Sequence, residues 1–467
     1  MLRTLLRTKE LVQPPASDGQ GLHKTLTVWH LAAIGIGCMV GVGIFVLPGV
    51  EAAQHAGPGI TLSFMLAALA VGFAALAYAE LSAMLPISGG AYSYCYMTLG
   101  EFPAWLTGWT LLFEYAVAAA MVAIGWSAYL GHLLQGFGIG IPQTLMMSPF
   151  GAQSGMINLP ALLVVLITVM FALLGIQESA RAALALVVVK LAAVLIFLGE
   201  SVGHVRTENW IPFMPFGFSG VLTAASVTFI AFGGFEAMTT AAEEARNPQR
   251  DLPRALGITL LVVMLAYVAV AAVMTGVMSY QELDVADPMT VVLVAAQHPW
   301  AAQLIAAAAL FGMTSVLLAL FVALPRIIFA MARDGLLPDA LAKLHHRFGT
   351  PQRATLAVGL LVAVIASLLP IQVVAELCSL GILTASLIVC LAVLVLRYSH
   401  PDLPRPFRMP AAFLLAPLGI LIYLTLIFML PAATLLRYLI WLGLGTLLWV
   451  CYGRRTSHLV CRKEQLP

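Results

Sequence analysis

Polar and apolar positions alternate along this chain in blocks of about twenty residues, not every two or four. Uncharged or nearly uncharged apolar runs lie near 31–50, 60–83, 103–130, 158–176, 182–199, 219–241, 255–280, 301–325, 354–375, 377–396, 411–430 and 433–451. An α-helix needs about 20 apolar residues to cross the hydrocarbon of a bilayer. The pattern therefore predicts an all-α membrane protein with twelve transmembrane helices. Composition points the same way: 61% of residues are hydrophobic and 9% charged, against about 25% charged in soluble domains. So much apolar surface requires lipid as its solvent.

The charges orient the spans. Of the 23 Lys and Arg residues, Arg206 and Arg437 fall on one side and Lys190 inside a run; all the others fall in segments on the opposite side. Basic residues collect in cytoplasmic loops, which predicts an even number of spans and both termini in the cytoplasm. The polar tail 1–28 is too long and mixed to open a cleaved signal peptide, so the first run is read as a retained span. Residues 454–467 form the second cytoplasmic tail. The six cysteines show no CxxC and no regular spacing, so neither a disulfide framework nor a metal site is expected. His345-His346 reads as a solvated pair in a basic loop.

Two runs carry glycines where a spanning helix can least tolerate them. The stretch Ile36 to Gly49 follows Gly35 and contains Gly37, Gly41 and Gly43. Glycine is the poorest helix former after proline, and a break at Gly41-Val42-Gly43 would free backbone groups that hydrocarbon cannot satisfy. A half-helix starting after Gly43 would present N–H groups and a positive dipole end to an anion such as a carboxylate. The competing reading is a GxxxG packing face at Gly37 and Gly41. The second candidate break is Phe229-Ile-Ala-Phe-Gly-Gly-Phe-Glu236, with Gly233-Gly234 at mid-span and an acidic residue behind them. Interrupted helices five spans apart are what inverted five-helix repeats produce, with the substrate site at the midplane between them. The expected organisation is a first repeat over 29–203, a second over 204–397, and two further helices over 398–453.

The same stretches carry a family resemblance. Gly41-Val-Gly-Ile-Phe45, Pro86-Ile-Ser-Gly-Gly-Ala-Tyr-Ser-Tyr94, Gly108-Trp-Thr-Leu-Leu-Phe-Glu-Tyr115, the Phe229–Glu236 segment followed by Ala242–Pro253, and Pro325–Pro338 resemble, in order, motifs of the amino acid–polyamine–organocation (APC) superfamily. Within it, the chain looks like bacterial relatives of the cationic amino acid transporters. The resemblance implies a LeuT-like fold and amino acid transport. Two departures stand out: Val42 replaces a usual Ser or Thr, and Ile230 stands where relatives often place an aromatic lid. Animal relatives typically carry two more spans, which leaves room for a small single-span partner helix.

On this reading the N–H groups around Gly41, Val42 and Gly43 take a substrate carboxylate. Carbonyls around Met39 and around Ile230–Gly233 take its ammonium. Met313, Cys38 and Phe232 are apolar and would suit a neutral side chain, with cationic substrates also admitted; lipid-facing filler is the alternative for these three. Among intramembrane charges, Glu114 either serves the site or pairs with a helix dipole or with Lys190. Glu236 braces the second break, and Glu243-Glu244 is either a cytoplasmic gate or a solvated helix end. Sodium-coupled members of this fold hold a cation between spans one, five and eight; the resemblance implies that the Lys190 ammonium replaces it, near Thr314-Ser315. The expected function is proton-coupled symport of L-amino acids across the cell membrane, with the proton as coupling ion and neither sodium nor a cofactor. Exchange, or amino acid sensing without transport, is the alternative. No HExxH, GxSxG or phosphate loop supports an enzyme, no symmetric filter supports a channel, and no nucleic acid partner is expected.

Overall fold

The computed structural model describes residues 26–84, 90–151, 155–175, 180–235, 238, 245–345 and 350–457. Every regular element among them is helical, apart from one isolated bridge between Leu26 and Ala245. The first apolar run becomes α1 (Val28–Met39), α2 (Val42–Phe45) and α3 (Leu47–Glu51), and the chain then returns as α4 (Ile60–Met84). Next come α5 (Gly90–Thr98), α6 (Glu101–Gly136), α7 (Leu159–Leu173) and α8 (Ala180–Ser201). The sixth run gives α9 (Gly217–Thr228), which tightens into a 3-10 turn over Phe229–Phe232. The remaining elements are α10 (Pro248–Val277), α11 (Pro288–Ala295), α12 (Pro299–Arg333), α13 (Gln352–Leu368), α14 (Ile371–Ser399), α15 (Ala412–Met429) and α16 (Ala432–Leu448).

Eight helices are long and apolar enough to cross a membrane, and four shorter apolar helices accompany them, among the described residues. The protein is thus an all-helical, multi-pass membrane protein. Its outward faces fit that solvent: Leu69, Leu195, Leu360, Leu414 and Phe428 are all more than 60% exposed, a surface that water would not tolerate.

The bundle is built around α6. At about 1.5 Å per residue its 36 residues reach about 54 Å, well beyond the hydrocarbon thickness. It packs along α12 on one side and α14 on the other. Small residues allow this: Gly381 of α14 sits against Glu114, where a Cβ would come within 2.8 Å of the Glu114 Cβ. Around this axis α10 packs on α1 and α4, α9 on α4, and α8 on α12.

Ion pairs and polar clusters close the two ends. At the cytoplasmic end expected from the charges, buried Glu80 takes Arg397 Nη2 at 2.6 Å and the Met409 N–H at 2.7 Å, and Arg405 Nε approaches it at 3.4 Å. Tyr92 donates to Asp334 at 2.8 Å. Burial, with that carboxylate beside it, pushes the Tyr92 phenol well above its ordinary value, so it remains a donor. At the opposite end Glu51 pairs with His55 at 2.9 Å, and Asp284 accepts from Gln54 and Gln372 at 3.2 and 3.1 Å.

Candidate functional site

Both glycine-rich stretches interrupt their helices, and the interruptions meet. α1 ends at Met39; Val40 and Gly41 leave helical geometry, with Gly41 at φ −148°, ψ −138°. The new helix starts at Val42, two residues before the start expected from the sequence, because Ile44 and Phe45 both donate to the Gly41 carbonyl at 3.1 and 3.3 Å. Val46 then bends the chain again ahead of Pro48, so α2 and α3 are short pieces and not one half-helix. Val42 and Gly43 sit in the first turn of α2, where peptide N–H groups have no carbonyl one turn earlier in their own helix.

In the second interruption the 3-10 turn ends at Phe232, Gly233 is extended and donates to Ile230 O at 2.8 Å, and Gly234 adopts φ +97°. Only glycine adopts that backbone without strain. The two interruptions touch at two points. A Cβ on Gly43 would stand 2.8 Å from Ala231 Cα, and one on Gly234 would stand 2.8 Å from Cys38 Cβ. Gly43 is therefore where one broken backbone lies directly on the other. Gly37 and Gly41, in contrast, face different helices: a Cβ on Gly37 would hit Val187 of α8 at 2.5 Å, and one on Gly41 would only graze Val316 of α12 at 3.5 Å. They do not form one GxxxG face.

Side chains from neighbouring helices serve the freed carbonyls of the first interruption. Tyr129 of α6 donates to Phe45 O at 2.7 Å, and Lys190 Nζ of α8 donates to Gly37 O at 2.9 Å. The Tyr267 hydroxyl of α10 lies 2.8 Å from Met39 O and 2.8 Å from Ala231 O. The Met39 carbonyl, expected to await an ammonium, thus already has a partner on one lone pair. On the second interruption, Ser379 of α14 donates to Val227 O.

The other residues singled out from the sequence fall into three places. Met313 is fully buried, and its methyl lies with Val42 and Val46 around Gly125 of α6: a Cβ there would meet them at 3.5, 3.1 and 3.3 Å. Phe232 is also fully buried, but its ring stands edge-on to Tyr267, with centroids 5.2 Å apart. Ile230 and Cys38 are half-buried. The Lys190 stem lies against Gly312, where a Cβ would meet Cε at 2.8 Å, so this side chain links α1 to α12. Thr314 donates to Leu310 O at 2.8 Å and accepts from Trp126 at 3.1 Å. Glu114 lies against α14, where its carbonyl takes the Cys378 thiol at 3.5 Å. Ser315 is half-buried on α12. Glu236, Glu243, Glu244 and His346 lie outside the described residues. Tyr129, Tyr267 and Trp126 escaped the sequence reading; a tyrosine inside an apolar run, whose hydroxyl must find a partner once buried, was the available signal.

The family model described as amino acid permease covers residues 26–451. The chain belongs to the amino acid permease family. It is 42% identical over 447 residues to the branched-chain amino acid permease BcaP of Bacillus subtilis, covering 95% of this chain and 96% of that one. It is 41% identical over 459 residues to the methylthioribose transporter of the same organism, covering 98% and 100%. The human cationic amino acid transporter 4 is 35% identical over 404 residues, 82% of this chain and 62% of that longer one. The permease is thus a transporter-family protein and not an enzyme.

Proposed function

We propose that the permease is a secondary active transporter that carries L-amino acids across the cell membrane by proton symport, with neutral substrates favoured. Twelve crossings, built as inverted repeats of five helices plus two, give the framework. The observation that carries the reading is the contact of the two interruptions at Gly43–Ala231 and Gly234–Cys38. Peptide N–H groups at Val42 and Gly43, with carbonyls at Met39 and Ala231, are the two polarities that a zwitterion presents. Next to them, Val42, Val46 and Met313 supply an apolar wall, which suits an aliphatic side chain such as that of leucine. Lys190 is the titrating group: protonated, it ties Gly37 to the α12 side; deprotonated, it releases the first span.

The test is a thermal-shift panel of all proteinogenic amino acids on purified protein, followed by uptake into proteoliposomes under an imposed pH gradient. A ligand that binds only the folded state raises its stability. Aliphatic amino acids should give the largest shifts and accumulate when the external pH is lower. Uptake that requires sodium, or counterflow without gradient-driven accumulation, would reject symport. The relative named for methylthioribose favours a second reading, a neutral thiosugar substrate. Including methylthioribose in the panel decides it, since a thiosugar shift with no amino acid shift would replace the first reading.

A further inference from the structure

Tyr267 is a fully buried residue of α10, and nothing in its sequence surroundings (Leu-Ala-Tyr-Val-Ala) marks it as functional. Its ring is held on two sides: Phe64 of α4 stacks on it at 5.0 Å, and Phe232 meets it edge-on at 5.2 Å. The hydroxyl is thereby aimed into the joint between the interruptions, 2.8 Å from Met39 O on one and 2.8 Å from Ala231 O on the other. It also abuts Gly43, where a Cβ would come within 2.9 Å of it. A phenol has one proton. It can make a full hydrogen bond to only one of the two carbonyls at a time, and the other then lacks this donor in a site from which water is largely excluded. Such an unmet acceptor costs free energy. A primary ammonium brings three donors.

We propose that Tyr267 is the positioning residue for the substrate α-ammonium: its single proton is shared between the Met39 and Ala231 carbonyls, and the incoming ammonium takes whichever carbonyl the proton leaves. The hydroxyl thus holds the two interruptions in register before substrate arrives and divides the acceptors with the ammonium afterwards. This rests on the amino acid reading given above. The ligand class it specifies is narrower than a zwitterion: a primary α-amine, whose three N–H donors can meet whichever carbonyl the phenol leaves, whereas N-alkylation removes one donor and its direction.

The test is a cycle between a protein change and a ligand change, with L-leucine and N-methyl-L-leucine as probes and affinities taken from thermal shifts on the full-length protein. Tyr267→Phe keeps the ring between Phe64 and Phe232 and removes only the proton. It should weaken leucine by about tenfold, the scale of one hydrogen bond. It should also enlarge the penalty for N-methylation by a further several-fold, because the ammonium must then serve both carbonyls alone. A merely structural role would weaken both ligands equally and leave the cycle without coupling. Phe64→Leu, which loosens the ring and keeps the proton, should weaken both ligands to the same extent. Zero coupling in Tyr267→Phe, or equal coupling in Phe64→Leu, overturns the assignment while leaving the transport reading intact. Wild-type protein that binds no amino acid overturns the transport reading, and this inference with it.

Discussion

The two helix interruptions solve one physical problem by different means. In the first, three side chains from three other helices supply donors to freed carbonyls: Lys190 to Gly37, Tyr267 to Met39 and Tyr129 to Phe45. In the second, the chain turns back on itself through Gly233 and the left-handed Gly234, and the Gly233 N–H is satisfied by Ile230 O three residues earlier. Among the described residues, the first interruption therefore takes three outside donors, while the second takes Ser379 and a share of Tyr267 and turns on its own glycines. Tyr267 belongs to both. A segment whose carbonyls are held by α6, α8 and α10 cannot shift without exchanging those bonds.

The largest effect is expected where the two segments touch. Gly43→Val places its β-carbon against the Ala231 backbone, which cannot move aside as a side chain end can. Amino acid affinity should fall by about a hundredfold or more in thermal-shift titrations while the protein still inserts and purifies. Gly41→Ala, whose Cβ would rest 3.5 Å from a Val316 methyl, should cost less than about tenfold. Equal effects at the two positions would reduce both glycines to general helix packing.

Lys190→Met should come next. It removes the donor to Gly37 but keeps a stem of similar bulk against Gly312. Accumulation driven by a pH gradient in proteoliposomes should be lost, about tenfold or more, while gradient-free counterflow persists. Accumulation by the variant equal to wild type would assign coupling to another group.

Tyr129→Phe tests the dependence of the first interruption on borrowed donors. The Phe45 carbonyl would lose its partner in a fully buried setting, which should cost about 1–3 kcal/mol. Thermal unfolding in detergent should show a lower midpoint for this variant. The smallest and most selective effect is expected from Met313→Ser, which shortens the apolar wall near Val42 and Val46. Competition assays should show a few-fold gain for longer or cationic amino acids such as arginine, with little change for small neutral ones.

Much of the architecture was legible because its signals are compositional. The apolar runs, the glycine pairs and the lone intramembrane lysine are all visible without coordinates, and they mark the two interruptions and the charge beside them. The site itself was less legible, for a definite reason. Its acceptors are backbone carbonyls, which every residue carries, so no pattern announces which are free. Met39 O, expected to face the ammonium, is also reached by Tyr267. Thr314, expected near Lys190, gives its proton to Leu310 O and accepts from Trp126, bonds that the sequence does not announce. Phe232, expected among the substrate contacts, also braces the Tyr267 ring edge-on. The start of α2 at Val42 was missed for a similar reason: two N–H groups converge on the Gly41 carbonyl, a choice that sequence spacing does not encode.

The contact at Gly43 also limits how this protein can change over time. A side chain that collides with another side chain can be accommodated by trimming the partner, but the nearest atom to a Cβ at position 43 is the α-carbon of residue 231, which every amino acid possesses. No second-site replacement at 231 can make room. Position 43 is therefore closed to drift in a way that position 41 is not, and libraries built to retune this transporter should diversify Val42, Ile230 and Met313 while holding Gly43 fixed.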